Sequence, residues 1–277
     1  MISPEFSTLV TLVFYALASI VGIAGIMARS AFWRRLACFL ALCGFVCQTV
    51  LLMLGFHKAL PGGLSLGAYL QLLAWFLLLC GIVVWGKLHQ ETLLLFSAPL
   101  GLLLFVMSAP YLGTLVTVPA SLHTPFYVLH IGALFSSLAL LALASVAGVL
   151  FLLLEKRIKR KQRMENFFLD MPAITLLDKI NALGTLLSFP LYTLGIVTGL
   201  LWAKSIFGDT GDPKEVVSVV IWLIFAALFY SRLLKGMRGR KAALLTALIF
   251  TLCLFSIFVV NTVMDTHHTF FRLSSGR

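Results

Sequence analysis

What this chain lacks most is charge. Asp, Glu, Lys and Arg make up 11% of its 277 residues, where a soluble domain carries about 25%. Hydrophobic residues reach 61%, so a water-soluble globule is excluded. Paired cysteines are also missing. Cys38, Cys43, Cys47, Cys80 and Cys253 all lie inside apolar runs, and none forms CxxC or CxxCH. That excludes a thioredoxin-like thiol pair and covalent haem attachment, and leaves the cysteines as small packing residues. The first apolar run has no basic leader and carries Glu5, so it reads as a retained helix and not as a cleaved signal peptide.

What is present is a series of long apolar runs. A membrane span needs roughly 20 mostly apolar residues. Candidate spans fall at about 6–28, 36–56, 66–86, 92–110, 126–154, 183–203, 217–231 and 242–263. The expected fold is all-α, a polytopic membrane helix bundle of about eight transmembrane helices. It divides into a four-span half, 1–110, and a second half, 111–277. Span 126–154 is long enough to project beyond the bilayer, and the short seventh run draws its first turn from the loop before it.

Acidic residues are half as frequent as basic ones, 10 against 21, for a net charge of +11. Most of the basic residues follow the odd-numbered spans: Arg29, Arg34 and Arg35; Lys87; Lys156 to Arg163; and Arg232 to Lys241. By the positive-inside rule those connections are cytoplasmic, and both termini lie outside. This placement accounts for the basic excess without nucleic-acid binding, for which the loops hold too few interleaved aromatics. In a bacterium the location would be the inner (cytoplasmic) membrane, with multiple passes.

Two connections stand out. Segment 164–184 mixes Phe167, Phe168 and Leu169 with Glu165, Asp170 and Asp178. It reads as an inner amphipathic piece lying on the surface and broken at Pro172. Residues 204–216 form an outer polar loop between apolar runs, because an irregular loop cannot face hydrocarbon. It holds Phe207, Asp209, Asp212 and Glu215.

The histidines gather around that outer side. His57, His123, His267 and His268 fall in or at the outer boundary, His130 lies one to two turns below it, and His89 is inside. Each taken alone reads as a solvated or capping residue. Taken together, neutral imidazoles from different helices beside aromatic residues suit a planar apolar porphyrin held by two axial nitrogens. Trp202 and Phe207 would stack on its face. Lys204, Lys214 or Arg272 would neutralise its propionates.

The same residues resemble the haem-handling membrane family that includes CcmC, the CcsA/ResC cytochrome c assembly proteins and HemX-like proteins. Trp202-Ala203, Phe207-Gly208 and Asp212-Pro213-Lys214-Glu215 resemble the WA, WG and DPKE elements of its tryptophan-rich external loop. Trp222, Arg232 and the run Gly236 to Ala243 resemble the turn that follows, and Val260-Asn261 with His268-Thr269-Phe270 resemble the ending. His130-Ile131 with Glu155-Lys156 resembles the histidine-led helix before the loop. His57, Gly62-Gly63-Leu64 and Trp75 resemble the HemX-like N-terminal half. Between Gly208 and Asp212 the chain has only Asp209-Thr210-Gly211, shorter than the family loop by two residues and two tryptophans. Tyr230 stands where the CcsA branch has a haem-ligating histidine.

The resemblance implies a non-enzymatic protein of cytochrome c assembly that presents non-covalent haem b on the outer face. His130 and His268 would be the axial ligands, and Trp202, Phe207, His57 and His267 would lie around them. Its partners would be haem and other cytochrome c assembly membrane proteins. The alternative is a HemX-like regulator of glutamyl-tRNA reductase abundance, with the basic inner loops and segment 164–184 as the contact surface. A small-solute transporter lacks the membrane-embedded acid or base of a proton relay.

Overall fold

Eight apolar runs become eight helices because a chain in hydrocarbon must satisfy its backbone hydrogen bonds within each segment. The computed structural model describes residues 4–59, 66–109, 125–161, 168–169, 171–207 and 213–257. Within them run α1 (Pro4–Met27), α2 (Ala31–Ala59), α3 (Leu66–Leu88), α4 (Glu91–Ser108), α5 (Pro125–Lys159), α6 (Ile174–Phe207), α7 (Pro213–Leu233) and α8 (Arg240–Phe255). Seven of these, α1 to α7, are long and apolar enough to cross a membrane. Helix α8 has 16 residues, and residues 258–263 of its expected span lie outside the described residues. The chain is a polytopic helical membrane bundle.

The helices pack as two groups joined along α5. In the first, α1 lies against α2 and α4, and α3 against α4. Its core centres on Tyr15, Cys38, Leu78, Leu94 and Phe105. In the second, α5 packs along α6 and α8, with α7 between α6 and α8. Phe225, Leu228 and Ile249 fill its centre. The groups meet where α3 leans on α5, with Leu77 against Ala139 and Ala142. Leu93 of α4 joins Leu143, Ala147 and Leu177 in another shared cluster. The five cysteines are unpaired and sit in α2, α3 and α8, as expected of packing residues.

Ion pairs gather the basic connections in two places. Glu91 at the start of α4 meets Arg34 at 3.3 Å and Arg35 at 3.6 Å, at the start of α2. Glu155 near the end of α5 meets Lys159 at 2.7 Å and Arg240, at the start of α8, at 3.9 Å. Asp178 accepts the Gly239 N–H at 3.0 Å, tying α6 to the α7–α8 turn.

Two boundaries differ from expectation. Residues 174–184, expected within a separate amphipathic segment, are the first turns of α6, which runs unbroken to Phe207 through Pro190. The charged side chain that made this stretch look superficial, Asp178, has a specific partner in Gly239, while Leu177, Ile180 and Asn181 turn into the core. At about 1.5 Å per residue, the 34 residues of α6 outreach a hydrocarbon layer of about 30 Å. The outer loop expected over 204–216 is shorter as well. Helix α6 continues through Lys204 to Phe207 and α7 opens at Pro213, so only 208–212 separate them. Proline at the first helical position loses no bond, and Glu215 in the first turn suits the positive end of the helix dipole.

Candidate functional site

The α5–α6 contact is built on glycines. Gly195 and Gly199 are four apart on α6, so they share a face. A Cβ on Gly195 would meet the Leu134 side chain at 2.5 Å, and one on Gly199 would collide with the His130 ring. Further down the pair, a Cβ on Gly184 would meet Ala144 Cβ at 2.7 Å. Small residues thus let the two backbones close up. The imidazole of His130 occupies the groove left by Gly199.

That ring is oriented by the backbone. His130 Nδ1 lies 2.7 Å from the carbonyl oxygen of Gly195. A carbonyl can only accept, so Nδ1 carries the proton, and in the neutral ring the lone pair is on Nε2. A ring N–H donated to a carbonyl is one of the contacts that fix the tautomer of metal-ligating histidines. Gly195 O also accepts from Thr198 Oγ1 at 3.1 Å.

Trp202 follows Gly199 by three residues, which keeps it on the same face of α6. It is 9% exposed, and its neighbour Ala203 is buried too. Trp202 is a helical side chain, inside the apolar run 183–203 seen in the sequence, packed near the end of α6. Lys204, two residues after Trp202, is exposed.

The other expected residues stand apart from this. Phe207 is the last residue of α6, and His57 lies near the end of α2. Their side chains, and the whole of His123, His267 and His268, lie outside the described residues. His89 is exposed just past α3, at a positive φ of 52°, at the opposite end of the bundle from His130. Tyr230 is 51% exposed on α7, with Lys235 Nζ 5.5 Å from its ring centroid. The position at which the CcsA branch carries a ligand therefore faces away from the core. Among the described residues no group of three His, Cys, Asp or Glu could hold a metal ion.

Two polar clusters escaped the sequence reading. In the first helix group, Tyr15 OH donates to Gln48 Oε1 at 2.5 Å, and Gln48 Nε2 donates to the Gln71 carbonyl at 2.8 Å. In the second, buried Asn181 of α6 touches all three of its neighbours. Its Nδ2 donates to Ala144 O of α5 at 2.7 Å, its Oδ1 accepts from Arg232 of α7, and Thr246 Oγ1 of α8 lies 3.4 Å away. For the first the available signal was Gln48 within an apolar run, an amide that a bilayer tolerates only when it is partnered; Asn181, in a segment that reads as superficial, gave none.

Comparison with known proteins agrees with this architecture. The family model described as "Cytochrome C assembly protein" matches residues 64–268. The chain is similar to the cytochrome c biogenesis protein CcsA of Chlamydomonas reinhardtii, 33% identical over 156 residues, covering 55% of this chain and 42% of that one. It is also similar to the CcsA of Guillardia theta, 30% identical over 169 residues and covering 55% and 56%. The CcsA of a Synechocystis strain is 38% identical over 111 residues, covering 36% and 33%. The aligned part spans about half, or less, of each of these relatives.

Proposed function

Because the chain belongs to the cytochrome c assembly protein family, we propose that it serves cytochrome c biogenesis as a haem-handling membrane protein, with its haem site at the outer end of the α5–α6 pair. The observation that carries this reading is the His130 ring, seated over Gly199 with Nδ1 bonded to Gly195 O. A ring merely filling a groove needs no fixed tautomer. One that ligates iron does. The donor chemistry fits: a neutral imidazole with its lone pair on Nε2 is a haem iron ligand.

In this reading His130 supplies one axial nitrogen and His268 the other. Trp202, packed on the His130 side of α6, walls the site and excludes water. Lys204, exposed two residues after Trp202, holds a propionate. The bound haem b would supply iron and the reactive vinyl groups for attachment elsewhere. The chain's own work is binding and orientation, with no bond made or broken on it. The setting would be a bacterial inner membrane, and the recipients other assembly proteins. The relatives compared above carry a cytochrome c biogenesis description, and the glutamyl-tRNA reductase reading draws on none of them.

The test is the absorption spectrum of the full chain purified in detergent from haem-replete cells. A bis-imidazole spectrum is expected. His130→Ala and His268→Ala should each lower the haem retained, and His89→Ala should leave it unchanged. A colourless protein that takes up no added haemin would sink the proposal.

A further inference from the structure

Three side chains cross between α5 and α6 to a backbone carbonyl of the other helix. His130 Nδ1 donates to Gly195 O, Ser137 Oγ to Ser188 O and Asn181 Nδ2 to Ala144 O, each at 2.7 Å. The positions are 130, 137 and 144 on α5, against 195, 188 and 181 on α6. They advance on one helix as they recede on the other, so the pair is antiparallel. Each step is seven residues, close to two turns, so the three bonds lie along one seam at intervals of about 10.5 Å.

The two ends of this ladder are built alike. The His130 ring lies where a Gly199 side chain would be, and it bonds the carbonyl four residues before that glycine. The Asn181 amide lies 2.9 Å from where a Gly148 Cβ would be, and it too bonds the carbonyl four residues before its glycine. Ser137 stands midway and is fully buried. Buried Thr185 and Thr198 do not cross. Thr185 Oγ1 bonds Asn181 O and Ala182 O, and Thr198 Oγ1 bonds Leu194 O and Gly195 O, all within α6.

Lipid tails are as apolar as the facing side chains, so apolar contact in a bilayer selects the offset of two helices only weakly. A donor committed to one carbonyl does select it. Sliding α5 by one residue, about 1.5 Å, would stretch all three bonds together. The glycines let the backbones approach, and the three bonds pin the offset.

We propose that Ser137 and Asn181 are positioning residues for His130. They set the offset of α5 on α6 at which Nδ1 meets the Gly195 carbonyl, and so keep the ring in one tautomer. As setters of the tautomer they stand on the three bonds alone, and as supports of an iron ligand they rest on the proposed haem site. Asn181 also receives Arg232, so Ser137 is the rung to test.

The full chain is labelled with nitrogen-15 at histidine and purified in detergent without haem. Its imidazole nitrogens are read by nuclear magnetic resonance, with His130→Ala identifying the His130 signals. The original chain should show this ring as a single Nδ1–H tautomer. In Ser137→Ala the ring should become a mixture of both tautomers, and affinity for added haemin should fall roughly 2–10-fold, the contribution of one hydrogen bond. Thr185→Val, equally buried but bonded only within α6, should lower the melting midpoint and change neither the tautomer nor the affinity. Should Ser137→Ala fail to fold, Ser137→Cys, a weaker donor, should move the tautomer the same way by less. An unchanged single tautomer in a folded Ser137 variant overturns the proposal, as does an equal change in Thr185→Val. A tautomer that shifts in a chain that takes up no haemin upholds the positioning of the ring and overturns the haem site alone.

Discussion

Single glycines on α6 decide what α5 can present. The His130 ring lies where a Gly199 side chain would be, so Gly199→Ala should push the imidazole off the Gly195 carbonyl. The expected cost is about 1–3 kcal/mol for overpacking, read as a lowered melting midpoint. If His130 ligates iron, the same change removes the bond that orients it, and haem retention should fall roughly 10–100-fold. Loss of stability with haem retention intact would separate a packing ring from a ligand. Asn181 makes the second residue-level case. Asn181→Ala leaves Arg232 without its hydrogen bond inside the bundle and should cost about 1.5–3 kcal/mol. An unchanged midpoint would show that Arg232 finds another partner. Neither role was legible from sequence. The spacing of Gly195 and Gly199 announces a close helix contact but not which residue fills it, and Asn181 looks like any polar residue near a helix start.

Among the elements, the α5–α6 pair carries the site. It is held by contacts that differ sharply from one glycine to the next. Gly184 sits against Ala144 Cβ and the Leu140 carbonyl, while Gly132 of α5 has nothing within 4 Å of its missing Cβ. Gly184→Val should therefore wedge the helices apart and destabilise by about 1–3 kcal/mol. Gly132→Ala should be neutral or stabilise by up to about 1 kcal/mol, through helix propensity alone. Equal effects of the two would mean that the pair is looser than described. Pro190 does not interrupt α6. Across the interface Ser137 Oγ donates to the Ser188 carbonyl at 2.7 Å, close to the turn where Pro190 removes the N–H that would bond the Leu186 carbonyl. The sequence showed the span and its proline. It could not show that the helix begins nine residues earlier than the apolar run, because the Asp178–Gly239 contact that permits this joins residues far apart in the chain.

At the scale of the whole molecule, the four basic connections should lie on one membrane face. The Glu91 pairs join the starts of α2 and α4. The Glu155 and Asp178 contacts join the ends of α5 and α7 to the starts of α6 and α8. Single cysteines introduced at Ser30 and Lys235 should react with an impermeant thiol reagent only from the cytoplasmic side, and one at Lys204 only from the outside. Labelling of Ser30→Cys and Lys235→Cys from opposite sides would break the positive-inside assignment. His130, near the start of α5, and Arg232, at the end of α7, lie at opposite ends of the bundle.

Composition and hydropathy were enough to determine the membrane class and where the apolar helices run. Those properties follow from the cost of exposing backbone and charge to hydrocarbon, which is summed along the chain. The family, too, was readable in short motifs from Trp202 to Ala243. Tertiary structure alone decided where the helices end and which polar residues meet. It also decided that His130 rests on Gly195 and Gly199, that Trp202 is buried, and that Tyr230 faces outward. The physical reason is range. Hydropathy is a local sum, whereas a hydrogen bond across 65 residues, such as that of His130 to Gly195, exists only once two helices have packed.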